Sequence, residues 1–215
     1  DAVRSLGSLA GVGKESVVYE ALGEGPVAIK FHREGRTSFR HVRRVREHLK
    51  DKPRVSWLRA ASLGARAEFE ALKKLYPRVE VPRPVAHSRH AVVMGLVEGV
   101  QLSRARLSDP QGVWSLILEQ VEATLGVGLV HADLSEFNVF VGEEGVKIID
   151  WAQAIPLSHP HARELLERDV SNLLKFFKRK YDLNIDLQEA LPATRPEVFE
   201  NLCREAGLKG EEVVS

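Results

Sequence analysis

His131-Ala132-Asp133-Leu134-Ser135-Glu136-Phe137-Asn138 is the stretch on which the fold of this chain turns. It follows a helix-forming segment and precedes a β-prone run, so an Asp and an Asn stand five residues apart in a loop. A carboxylate so placed can accept or orient the proton of an attacking hydroxyl, and an amide oxygen five residues on can bind a metal ion that bridges nucleotide phosphates. Asp133 is therefore a candidate catalytic residue and Asn138 a candidate metal ligand. Each alone suits a turn or a cap equally, because Asp and Asn favour both. Ile148-Ile149-Asp150 then ends an apolar run on a carboxylate, the hard oxygen ligand that Mg2+ takes, so Asp150 is a second candidate ligand.

Upstream, Val17 to Leu22 and Val27 to Phe31 are β-prone runs separated by Gly23-Glu24-Gly25-Pro26, which predicts a hairpin. The second run reads Val-Ala-Ile-Lys at 27 to 30, the four letters of the kinase strand whose lysine grips the α- and β-phosphates. A strand lysine that merely faces solvent is the plain alternative. Ahead of it, Gly11-Val12-Gly13-Lys14-Glu15-Ser16 places glycines where backbone must turn and present N–H groups to an anion. A Walker A loop is excluded: Ser8 stands at its first glycine, Glu15 stands where Ser or Thr must reach magnesium, and no helix follows. A glycine-rich hairpin without a ligand fits this segment as well. What favours the catalytic alternative is order, since loop, Lys30, Asp133, Asn138 and Asp150 come in the kinase sequence.

Lys30 then needs an acidic partner on a helix. Leu63 to Tyr76 carries Ala65, Phe69, Leu72 and Tyr76 at helical spacing before Pro77 stops it. Glu70 has Lys73 and Lys74 at i+3 and i+4, a sufficient local explanation, whereas Glu68 meets Leu72 at i+4 and no cation at i+3. Glu68 is the expected partner of Lys30. Farther along, Ala91 to Met94 reads as a buried strand, and Asp109-Pro110 opens a helix that runs to Gly126. Strands at 137–141 and 146–149 follow, then a helix with Leu166, Val170, Leu173, Leu174 and Phe177 on its inner face.

The 215 residues are 44% apolar with a formal net charge of +1, which predicts a globular protein with a real core and no global field toward nucleic acid or membrane. The charge is uneven. From Arg33 to Arg59 ten Lys or Arg stand against three acids, in a segment of about 32 to 60 too long to be a mere connection. The one cysteine, Cys203, has no internal disulfide partner, and neither a signal peptide nor a membrane span is evident, so a cytoplasmic location is the expectation. The chain opens at Asp1 and its single methionine is Met94, so a natural start upstream is expected.

Taken together, Gly-Val-Gly-Lys-Glu-Ser at 11 to 16, Phe-His-Arg-Glu-Gly-Arg-Thr-Ser-Phe-Arg at 31 to 40, the 131 to 138 loop and Ile-Asp-Trp at 149 to 151 resemble the RIO family of atypical protein kinases. They look like its second subfamily, whose members carry a winged helix before the kinase domain, and like an archaeal member without that helix. The resemblance covers nearly the whole chain. It implies an α+β, two-lobed protein-kinase-like fold, with a β-rich N-lobe at 1–95, a helical C-lobe at 96–215 and ATP bound between the lobes. It also implies serine/threonine kinase and ATPase activity with Mg2+, or Mn2+ in its place, and a part in maturation of the small ribosomal subunit.

By position, the resemblance makes Asp133, Asp150 and Lys30 the catalytic residues, and Asn138 and Asp150 the metal ligands. Asp150 would also be open to an aspartyl-phosphate. Nucleotide contacts would come from Gly11, Gly13, Lys14, Glu15, Ser16, Val18, Lys30, Met94, Gly95, Val97, Glu136 and Ile149, with Met94 at the back of the adenine pocket. Glu68 and Asp169 would support the site, Asp169 by bracing the catalytic loop, with a plain surface charge as its alternative. Ala152 departs from the family's usual proline and loosens the metal loop. The implied partners are ATP, a protein substrate or the chain itself, and a pre-30S or pre-40S particle whose rRNA meets the basic segment; a solvated segment without a partner is the alternative. Two rivals remain: an ATP-gated ribosome assembly factor with little protein phosphorylation, and a small-molecule phosphotransferase akin to aminoglycoside kinases, which leaves residues 31–40 unexplained.

Overall fold

The structure is a computed structural model that describes residues 2–33 and 57–211. The basic segment expected at about 32 to 60 falls largely on residues 34–56, outside the described residues, while its ends are regular structure: His32 closes a strand and residues 57–60 open a helix. The chain forms two compact units: Asp1–Tyr76 with Pro82–Val97 and Asp150–Gln153, and Pro77–Val81 with Glu98–Ile149 and Ala154–Ser215. The first is β-rich and the second helical, an α+β kinase-like pattern.

In the first unit five antiparallel strands lie in the order β1-β2-β3-β5-β4: β1 Ser5–Val12, β2 Ser16–Leu22, β3 Pro26–His32, β4 Pro84–Ser88 and β5 Ala91–Gly95. The predicted hairpin is β2–β3. The edge strand β1 was not expected; its glycines and serines have poor strand propensity and nearly all of it is exposed, so no buried face prints a pattern on the sequence. Gly13 N–H donates to Ser16 O at 2.9 Å and closes the β1–β2 turn. Along β3 the pleat divides the side chains. Val27 and Ile29 join Ala21 in a cluster lined by Val85, Ala91 and Val93, while Ala28, Lys30 and His32 project to the other face.

That other face meets helix α1, Trp57–Leu75. Ala61, Ala65, Glu68, Ala71, Leu72 and Leu75 are buried at helical spacing, and α1 packs on β3, β4, β5 and the 3-10 turn Trp151–Gln153. Half of these residues are alanine, which allows close approach but carries little hydrophobic signal. The helix accordingly begins six residues ahead of the Leu63 that periodicity picks out.

In the second unit, α2 Pro110–Gly126 is capped as its sequence predicts: Gly112 N–H donates to Asp109 Oδ1 at 2.9 Å, and Pro110 occupies the first turn. Gly112 is needed there, since a Cβ would collide with the Asp109 carboxylate. The chain continues as β6 Val100–Gln101, β7 Leu129–Val130, β8 Val139–Gly142, β9 Gly145–Ile148 and β10 Ile155–Pro156, pairing in sheets β6-β8-β9 and β10-β7. Helix α3, Ala162–Tyr181, buries Leu166, Asp169, Val170, Leu173, Phe176 and Phe177, and Phe177 meets Trp114 of α2 edge-on at 5.4 Å. Two further helices, α4 Leu187–Ala190 and α5 Pro196–Glu211, were not expected.

Candidate active site

Lys30 stands near the end of β3, paired with Val18 of β2 and Val92 of β5, on the strand face that meets α1. Its Nζ donates to Glu68 Oε1 at 2.8 Å and to Asp150 Oδ1 at 2.7 Å. Glu70 instead meets Lys73 on the exposed side of the helix at 3.5 Å. Glu68 is 1% exposed, so its charge survives only with partners. Burial alone would raise its carboxyl, but Lys30 and a hydrogen bond from His32 outweigh that and hold it at about 2. Burial likewise works against the Lys30 ammonium, and the two carboxylates outweigh it and push its pKa upward.

Asp150 differs from Glu68. Its side chain is 41% exposed, its backbone is left-handed at φ 68°, and among the described residues only Oδ1 has a protein partner. Asp tolerates that conformation better than most residues. Trp151, the next residue, is 1% exposed and anchors the turn against α1. An ammonium carries three protons, and Lys30 uses two of them here, leaving one for an incoming anion.

His32 is a site residue that the sequence did not single out. Its Nε2–H donates to Glu68 Oε2 at 2.6 Å, so both oxygens of Glu68 are satisfied. The signal was present: His32 lies two positions beyond Lys30, on the same face of the strand.

In the second unit the 131–138 loop is tied from within. His131 Nε2–H donates to Ile149 O at 3.0 Å, and Asp133 N–H donates to His131 Nδ1 at 3.3 Å, a pair of bonds that fixes one imidazole tautomer. Asn138 Nδ2 donates to Asp133 O at 2.8 Å, while Ile149 N–H donates to Asn138 O at 2.9 Å. Ala132, between His131 and Asp133, is left-handed at φ 64°, and Arg168 donates to its carbonyl. Arg168 was missed as well, since an arginine on an amphipathic helix reads as a solvated charge.

Asp169 is 1% exposed and therefore no surface charge. It accepts from Arg168 at 3.0 Å and from the Leu134 backbone, one residue past Asp133. Burial dominates and pushes its carboxyl up to about 6, against the pull of Arg168. Glu136 is turned toward Arg179 at 3.3 Å.

Of the expected nucleotide contacts, Gly11, Gly13, Lys14, Glu15, Ser16 and Val18 fall on the β1–β2 hairpin, and Met94 is buried on β5 across from Ala28. Past Met94, Gly95 N–H donates to Arg83 O at 2.8 Å and Leu96 N–H to Pro26 O at 3.3 Å. The Val97 amide makes no hydrogen bond among the described residues, so it could serve a base edge.

The donors fit a hard divalent cation. Because Asn138 turns its NH2 to a carbonyl, its Oδ1 is presented as an oxygen ligand, and Asp150 offers its second oxygen. Among the described residues no three His, Cys, Asp or Glu side chains group to hold a metal.

Comparison with known proteins gives one answer. A family model described as the RIO domain matches residues 17–190. The chain is 41% identical over 200 residues to the RIO-type serine/threonine-protein kinase Rio2 of Methanocaldococcus jannaschii, covering 87% of this chain and 74% of that protein. It is 33% identical over 206 residues to the serine/threonine-protein kinase rio2 of Schizosaccharomyces pombe, covering 93% of this chain and 60% of that one. A crystal structure of the Rio2 kinase-ADP/Mg2+-phosphoaspartate complex from Chaetomium thermophilum matches with a TM-score of 0.71 at 29% identity, over 98% of this chain and 72% of that chain.

Proposed function

The chain belongs to the RIO family of kinases, and from that premise we propose that it is an ATP- and Mg2+-dependent serine/threonine kinase and ATPase of the Rio2 branch, with Asp150 as both metal ligand and phosphoryl acceptor. The observation that carries this is Lys30, held by buried Glu68 on one side and by exposed Asp150 on the other. Lys30 is then placed to receive the α- and β-phosphates on its third proton, as kinase strand lysines do. Mg2+ on Asn138 and Asp150 would neutralise charge on the β- and γ-phosphates; Mn2+ suits the same oxygens.

Asp133 accepts or orients the proton of an attacking serine or threonine hydroxyl. With Asp150 as nucleophile, a carboxylate oxygen forms the new bond to the γ-phosphorus and the bond to the β,γ-bridging oxygen breaks. ADP leaves with that electron pair. Water then attacks the phosphorus, regenerating the carboxylate and releasing inorganic phosphate. Two observations support the acceptor role: the free side of the Asp150 carboxylate and the phosphoaspartate of the Chaetomium Rio2 complex.

Such a covalent cycle favours a second role within the same chemistry, an ATP-driven switch in maturation of the small ribosomal subunit, acting in the cytoplasm of an archaeon. Its basic segment would meet rRNA phosphates, with affinity falling steeply in salt. Among the described residues no helix is long and apolar enough to cross a membrane.

The test follows ADP release and protein-bound label with γ-32P-ATP. Wild type should release ADP and carry a hydroxylamine-labile phosphate, and Asp150→Ala should do neither. Wild-type turnover by Asp150→Ala, at equal Mg2+ and equal stability, would sink the proposal.

A further inference from the structure

We propose that His32 is a positioning residue for phosphoryl transfer: by holding the second oxygen of Glu68 it keeps Lys30 fixed to α1 when Asp150 turns to metal or phosphate. This rests on the kinase function proposed above and assigns a role to a residue outside the Lys30–Glu68–Asp150 set.

The argument begins with the competition at Lys30. Both carboxylates bind its ammonium at nearly equal distance, 2.8 Å for Glu68 and 2.7 Å for Asp150. A lysine shared this way could be drawn from either. Asp150, however, must release Lys30 in part to ligate a cation or attack phosphorus, and the lysine must then stay where β3 has aimed it. Glu68 can anchor it only if Glu68 itself cannot rotate. One hydrogen bond leaves a carboxylate free to pivot about χ3, a broad torsion with weak rotamer preference. Two bonds to opposite oxygens, from Lys30 and from His32 Nε2, remove that freedom.

The position of His32 is itself enforced. Its ring is 7% exposed, and its backbone N–H donates to His90 O at 2.8 Å, past the last β3–β5 register pair. The ring lies against Gly64, where an added Cβ would stand 3.4 Å from Nδ1. That is van der Waals contact, so the imidazole packs along α1 one turn from the carboxylate it serves. The order along β3 completes the device. Lys30 and His32 share one strand face, and Glu68 spans the gap between them with one oxygen to each.

Two variants test it. His32→Phe keeps an aromatic ring without a donor, and His32→Gln restores an N–H near the Nε2 position. A charge-assisted hydrogen bond corresponds to about a ten- to hundredfold effect, so His32→Phe should weaken Mg-ADP affinity and ATP turnover by that factor at matched urea stability. His32→Gln should recover to within about threefold of wild type. Wild-type affinity in His32→Phe would overturn the proposal. So would equal losses in Phe and Gln, which would mark a purely packing role. Mg-ADP affinity is read without turnover. A wild-type protein that binds Mg-ADP but never releases phosphate would defeat the kinase function, while the Phe and Gln affinities would still decide the role of His32.

Discussion

The side-chain amide of Asn138 donates to the backbone carbonyl of Asp133 at 2.8 Å, so the group that ties this loop leaves its Oδ1 for the cation proposed above. The carbonyl can only accept, which fixes the orientation of the amide. Asn138→Asp keeps a metal-binding oxygen but sets a carboxylate against that carbonyl, and Asn138→Ala removes both functions. Both should lower Mg2+-dependent ATP turnover by about a hundredfold or more. Raising Mg2+ should recover Asp better than Ala in a turnover-against-Mg2+ titration; equal recovery would mean that the loop tie alone matters.

Glu68 predicts an acid limb of stability. Its folded pKa is about 2 against an ordinary 4.5, so the unfolded chain binds the proton more readily. The stability it contributes is whole above about 4.5 and is lost as pH falls toward 2. Lys30→Met leaves that carboxylate with His32 alone and should cost about 3 to 5 kcal/mol at pH 7, as breaking a buried pair does. The double variant Lys30→Met/Glu68→Gln should cost less than the sum of the single changes. Urea unfolding from pH 3 to 7 measures both effects, and strictly additive costs would deny the coupling.

Asp169 predicts the opposite slope. Its folded pKa of about 6 lies above the ordinary 3.8, so the folded state holds the proton more tightly. Its contribution is favourable at low pH and is lost as pH rises through 6. Asn in its place cannot titrate. The stability of wild type relative to Asp169→Asn should therefore decline between pH 4 and 8 by up to about 3 kcal/mol. A flat difference over that range would mean that Asp169 stays ionised throughout. Asp169→Asn also loses the Arg168 ion pair, so turnover should fall as the Leu134 amide loses its carboxylate acceptor.

Much of this site was legible because its parts obey strong local rules. Val27 to Phe31 is a β-prone run behind a Gly-Pro turn, Asp109-Pro110 is a cap with one physical meaning, and Glu70 was set aside because Lys73 and Lys74 already explained it. What escaped were residues whose purpose is to hold another residue. His32 and Arg168 contact Glu68 and the Ala132 carbonyl across 36 residues of sequence in each case, and although the strand period puts His32 on the face of Lys30, no local spacing names the distant partner of either. The fold shows the same limit. Strand β1 buries almost nothing and so has no periodic face, and the buried face of α1 carries Ala61 and Ala65 ahead of Glu68, small residues that print little periodicity.

Ala132 supplies a last test, of how the catalytic loop is held. A non-glycine residue at φ 64° is strained by about 1 to 2 kcal/mol, and glycine would relieve that while adding entropy to the unfolded chain. The two partly cancel, so Ala132→Gly should stabilise the protein by up to about 1 kcal/mol. Arg168, whose guanidinium donates to the Ala132 carbonyl, resists relaxation of that strained peptide. In the Ala132→Gly background the peptide needs less restraint, and Arg168→Ala should cost less stability than it does in wild type. Urea unfolding of the four proteins gives the coupling, expected at about 0.5 to 1 kcal/mol. No coupling would show that Arg168 acts through Asp169 alone. Turnover separates the roles further: Ala132→Gly frees the backbone beside Asp133, so kcat should fall even as stability rises, the trade expected where strain aims a catalytic group.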